Sequence, residues 1–492
     1  MNTKSRVLAW AGLSFFIFSV SSHANNEFQQ WMQQQATGVT AQKKEFQEYK
    51  DNRDKEFTAF LKANWKAVDI VKGEVLDEEP KPDVMPVAPI VPPVSIMQKP
   101  EQIPNVIIML PDPELPVKSA PEPVVVMPEG NQQKIDFYGK PIIFYHDAGL
   151  RNRLNATIDK EVISDFWSLL SRADYENLLT QLELQKKSLQ LNDWAYASLI
   201  YKLAAEINNN RRNESALLSW FLLAKSGYRA RVAYNDSSVY LLVPSKHEIF
   251  EVSYFTYSGN RYYAVEFDGD EQQLGRVYTY DGEYPEAIKD FDMQLTASVA
   301  SSDQPEHRHL SFEFEGGRYN IDVTYDRGRV KFLGTYPQLN LNLYFASGVY
   351  RVTATPLQEQ LAVNMRGMSE QQAVNFLLRF VQTALQYETD DKQFGKENYL
   401  FPEETLFYPY SDCEDRAVLF AWLVKSLLNL DVIGLDYPGH VATAVHFKKA
   451  VSGDSVSYQG KLYTVTDPTY INAVAGMTMP DFKQYKPTVI SY

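Results

Sequence analysis

The period of the apolar residues changes several times along the chain, and each change marks a boundary. An unbroken apolar run from Val7 to Val20 follows Lys4 and Arg6 and gives way to Ser22-His23-Ala24. That order of charge, apolar core and small-x-small site predicts a secretory signal peptide removed after Ala24. Over residues 26 to 70, Phe46, Tyr49, Arg53, Phe57, Phe60, Leu61 and Trp65 recur at spacings of three and four, which predicts an amphipathic helix with one docking stripe. Periodicity then vanishes. More than half of the chain's 26 prolines fall between Glu78 and Gly130, and an extended spacer is expected where backbone donors are so often missing.

Globular patterning resumes near Ile135. Helical spacing runs to ESALLSWFLLAKSGY and is followed by alternating stretches RARVAY, SVYLLVP, IFEVSYFTY and RYYAVEF. Residues 274 to 355 alternate with period two around Gly-Gly and Arg-Gly turns, which predicts a small all-β domain. From Ser369 the helix-then-strand order returns. The parts so defined are 1–24, the signal; 25–77, the amphipathic helical segment; 78–130, the spacer; and three globular regions at 131–273, 274–355 and 356–492.

A shift of 200 positions lays NESALLSWFLLAKS over CEDRAVLFAWLVKS, so that Glu214, Leu223, Lys225 and Ser226 match Glu414, Leu423, Lys425 and Ser426. GNRYYAVE then stands opposite QGKLYTVTD. The expected fold is α+β, with two copies of one unit flanking the β-rich region.

The net charge of −14 argues against nucleic acid or an anionic membrane surface as a partner. No second apolar run approaches the roughly 20 residues of a membrane span, so no integral span is expected once the signal is removed. The expected compartment is the periplasm. There a lone cysteine, Cys413, cannot form a disulfide within its own chain; it is either a packed, inert thiol or a free thiol kept for chemistry.

Cys413 stands just after Ser411-Asp412, a helix-capping pair, and before apolar positions Ala417, Phe420, Ala421, Val424 and Leu427. The first helical turn favours a thiolate and helps to hold an oxyanion. Asp412, Glu414 and Asp415 oppose this, so an imidazolium partner is required. His440, opening a strand after Pro438-Gly439, is the candidate, and Asp467 is placed to orient it. Gln393 and Tyr408 are candidates for the oxyanion site or cleft wall. His446 reads as a structural or surface histidine. Asp390, Asp391 and the acids around Cys413 read as a solvated face rather than a metal site, and no cofactor or metal is expected. In the first copy Asn213 replaces Cys413, Ser238 or Tyr240 stands near the His440 position and Glu266 near Asp467, so that copy is expected to be degenerate.

The motifs DCEDRA, PGH at a strand start and an Asp before PTY resemble the transglutaminase-like superfamily of papain-type cysteine enzymes, over residues 369 to 475. That resemblance implies Cys413 as nucleophile, His440 as base and acid, and Asp467 as the orienting residue. It implies an exported cysteine hydrolase acting on peptide or amide bonds of cell-envelope proteins or peptides. An acyltransferase that crosslinks proteins and a non-catalytic envelope binding or assembly protein are the alternatives, with the N-terminal helix docking on a partner of its own.

Overall fold

The computed structural model describes residues 45, 47–76, 81–89, 129–154, 156–267, 275–295 and 305–492. The expected signal, 1–24, and most of the proline spacer lie outside the described residues. Two units are resolved: Met1–Ala63 and Asn64–Tyr492. In the first, a helix covers 47–63, with Phe57 stacked on Phe60 and the side chains of Phe57 and Leu61 buried.

The helical stripe predicted as far as residue 70 stops at 63. Trp65–Asp69 is a strand, paired antiparallel with Arg276–Tyr280. The pairing turns Val68, with the following Ile70, toward a core that also holds Ala233, Leu242, Phe255 and Val277. Period-two burial overrides the three-four spacing that Trp65 happens to satisfy.

Within the larger unit, helices and antiparallel sheets form an α+β fold. Four helices over Lys160–Arg172, Tyr175–Ser188, Asp193–Ile207 and Arg212–Lys225 precede five of the six strands of one sheet. Its order is Trp65–Asp69, Arg276–Tyr280, Arg231–Tyr234, Val239–Pro244, Asn260–Val265, Tyr254–Tyr257. Near the C-terminus, helix Cys413–Leu428 packs on a second sheet in the order Thr488–Ile490, Asp431–Tyr437, His440–His446, Lys461–Thr466, Ser455–Tyr458. Omitting Trp65–Asp69, the two sheets share one topology: a helix, a hairpin, a second hairpin added beside it in reverse order, and a last strand on the far edge.

Between the sheets the chain departs from the all-β expectation. A hairpin of Pro305–Phe314 and Gly317–Asp326 does form, turning at Glu315-Gly316, both with positive φ (47° and 81°) as a two-residue hairpin turn of the primed type demands. RGRVKFLG, expected to continue the alternation, is instead helical over Arg327–Leu333. The Asp326 carboxylate accepts from the Arg329 N–H at 2.9 Å and caps that helix. Helices Leu341–Phe345 and Arg351–Asn364 follow, so this region is mixed rather than all-β. Glu370–Ala384 then starts at a reciprocal cap between Ser369 and Gln372. Among the described residues no helix is long and apolar enough to cross a membrane.

Candidate functional site

The site forms where the Cys413 helix begins and the His440 strand begins. Asp412 is extended and lies outside the helix, while its N–H is 3.4 Å from the Asp415 carboxylate. Cys413 is therefore the first helical residue. Behind it, fully buried Arg416 donates to the Leu385 carbonyl at 2.9 Å, the Gln382 carbonyl at 3.3 Å and the Ser411 hydroxyl at 3.2 Å. These bonds fasten the helix start to the end of Glu370–Ala384. Burial lowers Arg416 to about 10, still charged near neutral pH.

His440 is positioned by the tight turn before it. Tyr437 and His440 pair across Pro438-Gly439, and Gly439 takes φ 67°, a conformation open to glycine and costly for other residues. The imidazole stacks on Phe482 at 4.8 Å and is almost wholly buried. Its Nε2 lies 2.9 Å from Asp467 Oδ2, and its Nδ1 has no partner among the described residues. The other Asp467 oxygen accepts the N–H groups of Thr469 (2.9 Å) and Tyr470 (3.1 Å). Gln382 holds the same loop: its amide donates to the carbonyls of Asp467, Tyr470 and Ala473 at 3.0, 2.8 and 3.1 Å. Both hydrogen-bonding edges of the Asp467 carboxylate are thus engaged. The ring accordingly carries its proton on Nε2, which leaves Nδ1 as the basic nitrogen.

Cys413 is not hydrogen-bonded to that base. Its thiol is fully buried and donates to Glu414 Oε2 at 2.9 Å, and no hydrogen bond joins Sγ to His440. Burial pushes the thiol well above its ordinary range, with Glu414 and Asp412 adding to the effect and Lys81 opposing it. The acids therefore prevail over the helix terminus, and the resting group is a protonated thiol.

Lys81 falls within the expected proline spacer, and no sequence signal places it here. Its ammonium lies 2.5 Å from Glu414 and 2.8 Å from Asp412 and is paired with Glu397. Burial disfavours its charge, but the carboxylates, Glu414 and Asp412 first and then Glu397, outweigh that and raise it. Asp390, Glu397 and Asp412 offer carboxylate oxygens within 4.8 Å of one another. Asp390 is raised by burial and then by Asp412, and Asp412 by burial and then by Glu414. The acids expected to form a solvated face are mostly buried: Asp390, Asp412, Glu414 and Asp415 are each less than 5% exposed.

A cleft of about 590 Å³ opens beside these groups, lined by Lys81, Tyr399, Glu414, Asp436, Tyr437 and His440 among others. Tyr408, expected at its wall, is not one of the lining residues; its ring packs on Phe394 and Phe407. Both amide atoms of Gln393 are buried and unpartnered among the described residues. His446 donates from Nδ1 to the Leu462 carbonyl, at 2.8 Å, and rests on Tyr463.

The corresponding place in the first sheet carries neither thiol nor imidazole. Asn213 stands in the first turn of its helix, where its amide accepts from the Val239 N–H at 2.9 Å and donates to the Ser237 carbonyl at 3.1 Å. Val239 opens its strand as His440 does, and Glu266 pairs with Arg212 at 2.9 Å.

Fold and site together define an α+β chain with a buried thiol at a helix start and a hydrogen-bonded His-Asp pair whose imidazole shares a cleft with Glu414. Neither the known protein families, nor the curated proteins, nor the solved structures contain a match to it.

Proposed function

We propose that this chain is an exported cysteine hydrolase of the transglutaminase-like kind, held here in a latent state, that acts on peptide or amide bonds of envelope substrates. The observation that carries the reading is the His440 ring: one nitrogen fixed on Asp467, the other basic, buried and unpartnered beside a cleft that also reaches Glu414. Rotation of the Cys413 side chain away from Glu414 would offer its proton to Nδ1. The thiolate then attacks the carbonyl carbon, and His440 returns the proton to the departing amine. Water, activated by the same nitrogen, releases the acid and restores the thiol. An amine in place of water makes the reaction a crosslinking transfer. The shared topology of the two sheets, which takes in the edge strand Arg276–Tyr280 beyond residue 273, supports reading the first as a degenerate copy, with Asn213 where the reaction needs a thiol.

A second reading, a non-catalytic envelope binding protein, is favoured by one observation: the thiol is sealed from solvent and its proton is committed to Glu414. Intact-mass measurement after incubation with an activated acyl ester separates the two. An adduct that maps to Cys413, is absent from Cys413→Ala and decays with release of the acid supports the enzyme. No adduct at any pH supports the binding protein.

A further inference from the structure

Residues 81–89 form a strap laid across the C-terminal region. Tyr387 donates its hydroxyl to the Pro82 carbonyl at 2.7 Å, and Arg416 meets the Met85 sulfur at 2.9 Å. Farther along, the Ala88 N–H donates to the Ile471 carbonyl (2.7 Å) and the Ile471 N–H to the Pro86 carbonyl (3.0 Å). Ala88 is buried with Tyr470, Ala473 and Met479, in the loop that also presents Asp467. The strap's one cationic side chain enters the carboxylate cage next to Cys413.

The cage is formed by the body of the C-terminal region, and only its cation comes from the strap. Asp412 and Glu414 flank the thiol in sequence, and Glu397 is the third carboxylate on the ammonium. Asp412 is fully buried, and its second oxygen, Oδ1, has no partner among the described residues. Buried carboxylates so close together require a cation or must take up protons. The bound group is a primary ammonium on a flexible alkyl stem, adjacent to the cleft and to the sulfur.

We propose that the Glu397–Asp412–Glu414 cage is a subsite for the primary ammonium of a lysine-like side chain on the substrate, and that Lys81 fills it in cis as a pseudo-substrate. Release of the strap opens the subsite to peptides whose alkylammonium lies next to the reacting carbonyl. The word substrate rests on the reading of Cys413 as the reacting group; the ammonium site itself does not.

Monodansylcadaverine, a fluorescent primary alkylamine, tests this in the full chain with Cys413→Ala, which prevents covalent transfer. Removing a tethered competitor should tighten binding of the free amine, by about tenfold or more for Lys81→Ala over Lys81. n-Pentylamine should compete and 1-pentanol should not, and Glu397→Gln in the Lys81→Ala background should weaken binding again. Equal affinity with and without Lys81, or competition by the alcohol, overturns the proposal. Hydrogen exchange on the unaltered chain gives an answer even where Lys81→Ala misfolds. Added n-pentylamine should speed exchange of the Ala88 and Ile471 amides, whereas unchanged protection at saturating amine overturns the proposal. Retained amine binding with no acylation of Cys413 would sink the hydrolase and leave the subsite standing; acylation without amine binding would do the reverse.

Discussion

Cys413 gives its proton to the Glu414 carboxylate at 2.9 Å, although a basic nitrogen of His440 lies unpartnered in the adjoining strand. The thiol sits at a helix start, the position that ordinarily lowers its pKa, yet burial and the two flanking acids raise it. A charge inside a low-dielectric pocket outweighs a screened half-charge at a helix end. The site is organised to keep sulfur protonated until something moves.

Glu414→Gln removes both the acceptor and one of the charges that raise the thiol. The alkylation rate of Cys413 against pH should shift to lower pH, with a gain of about tenfold at pH 7 to 8 for each unit by which the thiol falls. A profile unchanged by the substitution would show that Glu414 does not set the protonation state.

Asp467→Asn tests the tautomer. The neutral amide no longer favours a proton on Nε2, and Nδ1 loses its standing as the base. Acylation of Cys413 should slow by about a hundredfold or more, with circular dichroism unchanged. Retained rates would remove Asp467 from the reaction.

Much of the site was legible in sequence because its signals are local. A cap before Cys413, a Pro438-Gly439 turn before His440 and an Asp ahead of Pro-Thr-Tyr each specify backbone geometry within a few residues. Gln382 and Arg416, which fasten these pieces together, look like ordinary polar positions on apolar helices, and only tertiary packing shows what they bond. Lys81 was illegible for a different reason. Its neighbours, Pro80 and Pro82, predict an extended spacer, but extension says nothing about what a chain lies against. The helical stripe failed at Trp65 because an aromatic residue satisfies a three-four spacing and a strand start equally well. Arg327–Leu333 could have been found from Asp326, which caps the helix, had the preceding alternation not been carried through it.

Glu404 supplies a stability test away from the reacting groups. It is buried in the short helix Pro402–Phe407, and burial lifts it to about 8, against the hydrogen bond from the Phe401 N–H. Because the folded value lies above the unfolded one, the stability tied to its proton is complete below the ordinary carboxylate range and is lost as pH rises through about 8. Glu404→Gln should therefore match the unaltered chain at pH 5 and melt about 1–3 °C higher at pH 9. A melting difference that does not change with pH would show that Glu404 is ionised throughout.

The central claim is that the imidazole of His440 activates the sulfur of Cys413. The most direct measurement is the rate at which a thiol-directed acylating peptide labels Cys413, in the full chain and in Lys81→Ala, each with and without His440→Ala. Loss of the imidazole should slow labelling by about a hundredfold in both backgrounds near neutral pH. Equal rates with and without His440 would contradict the account.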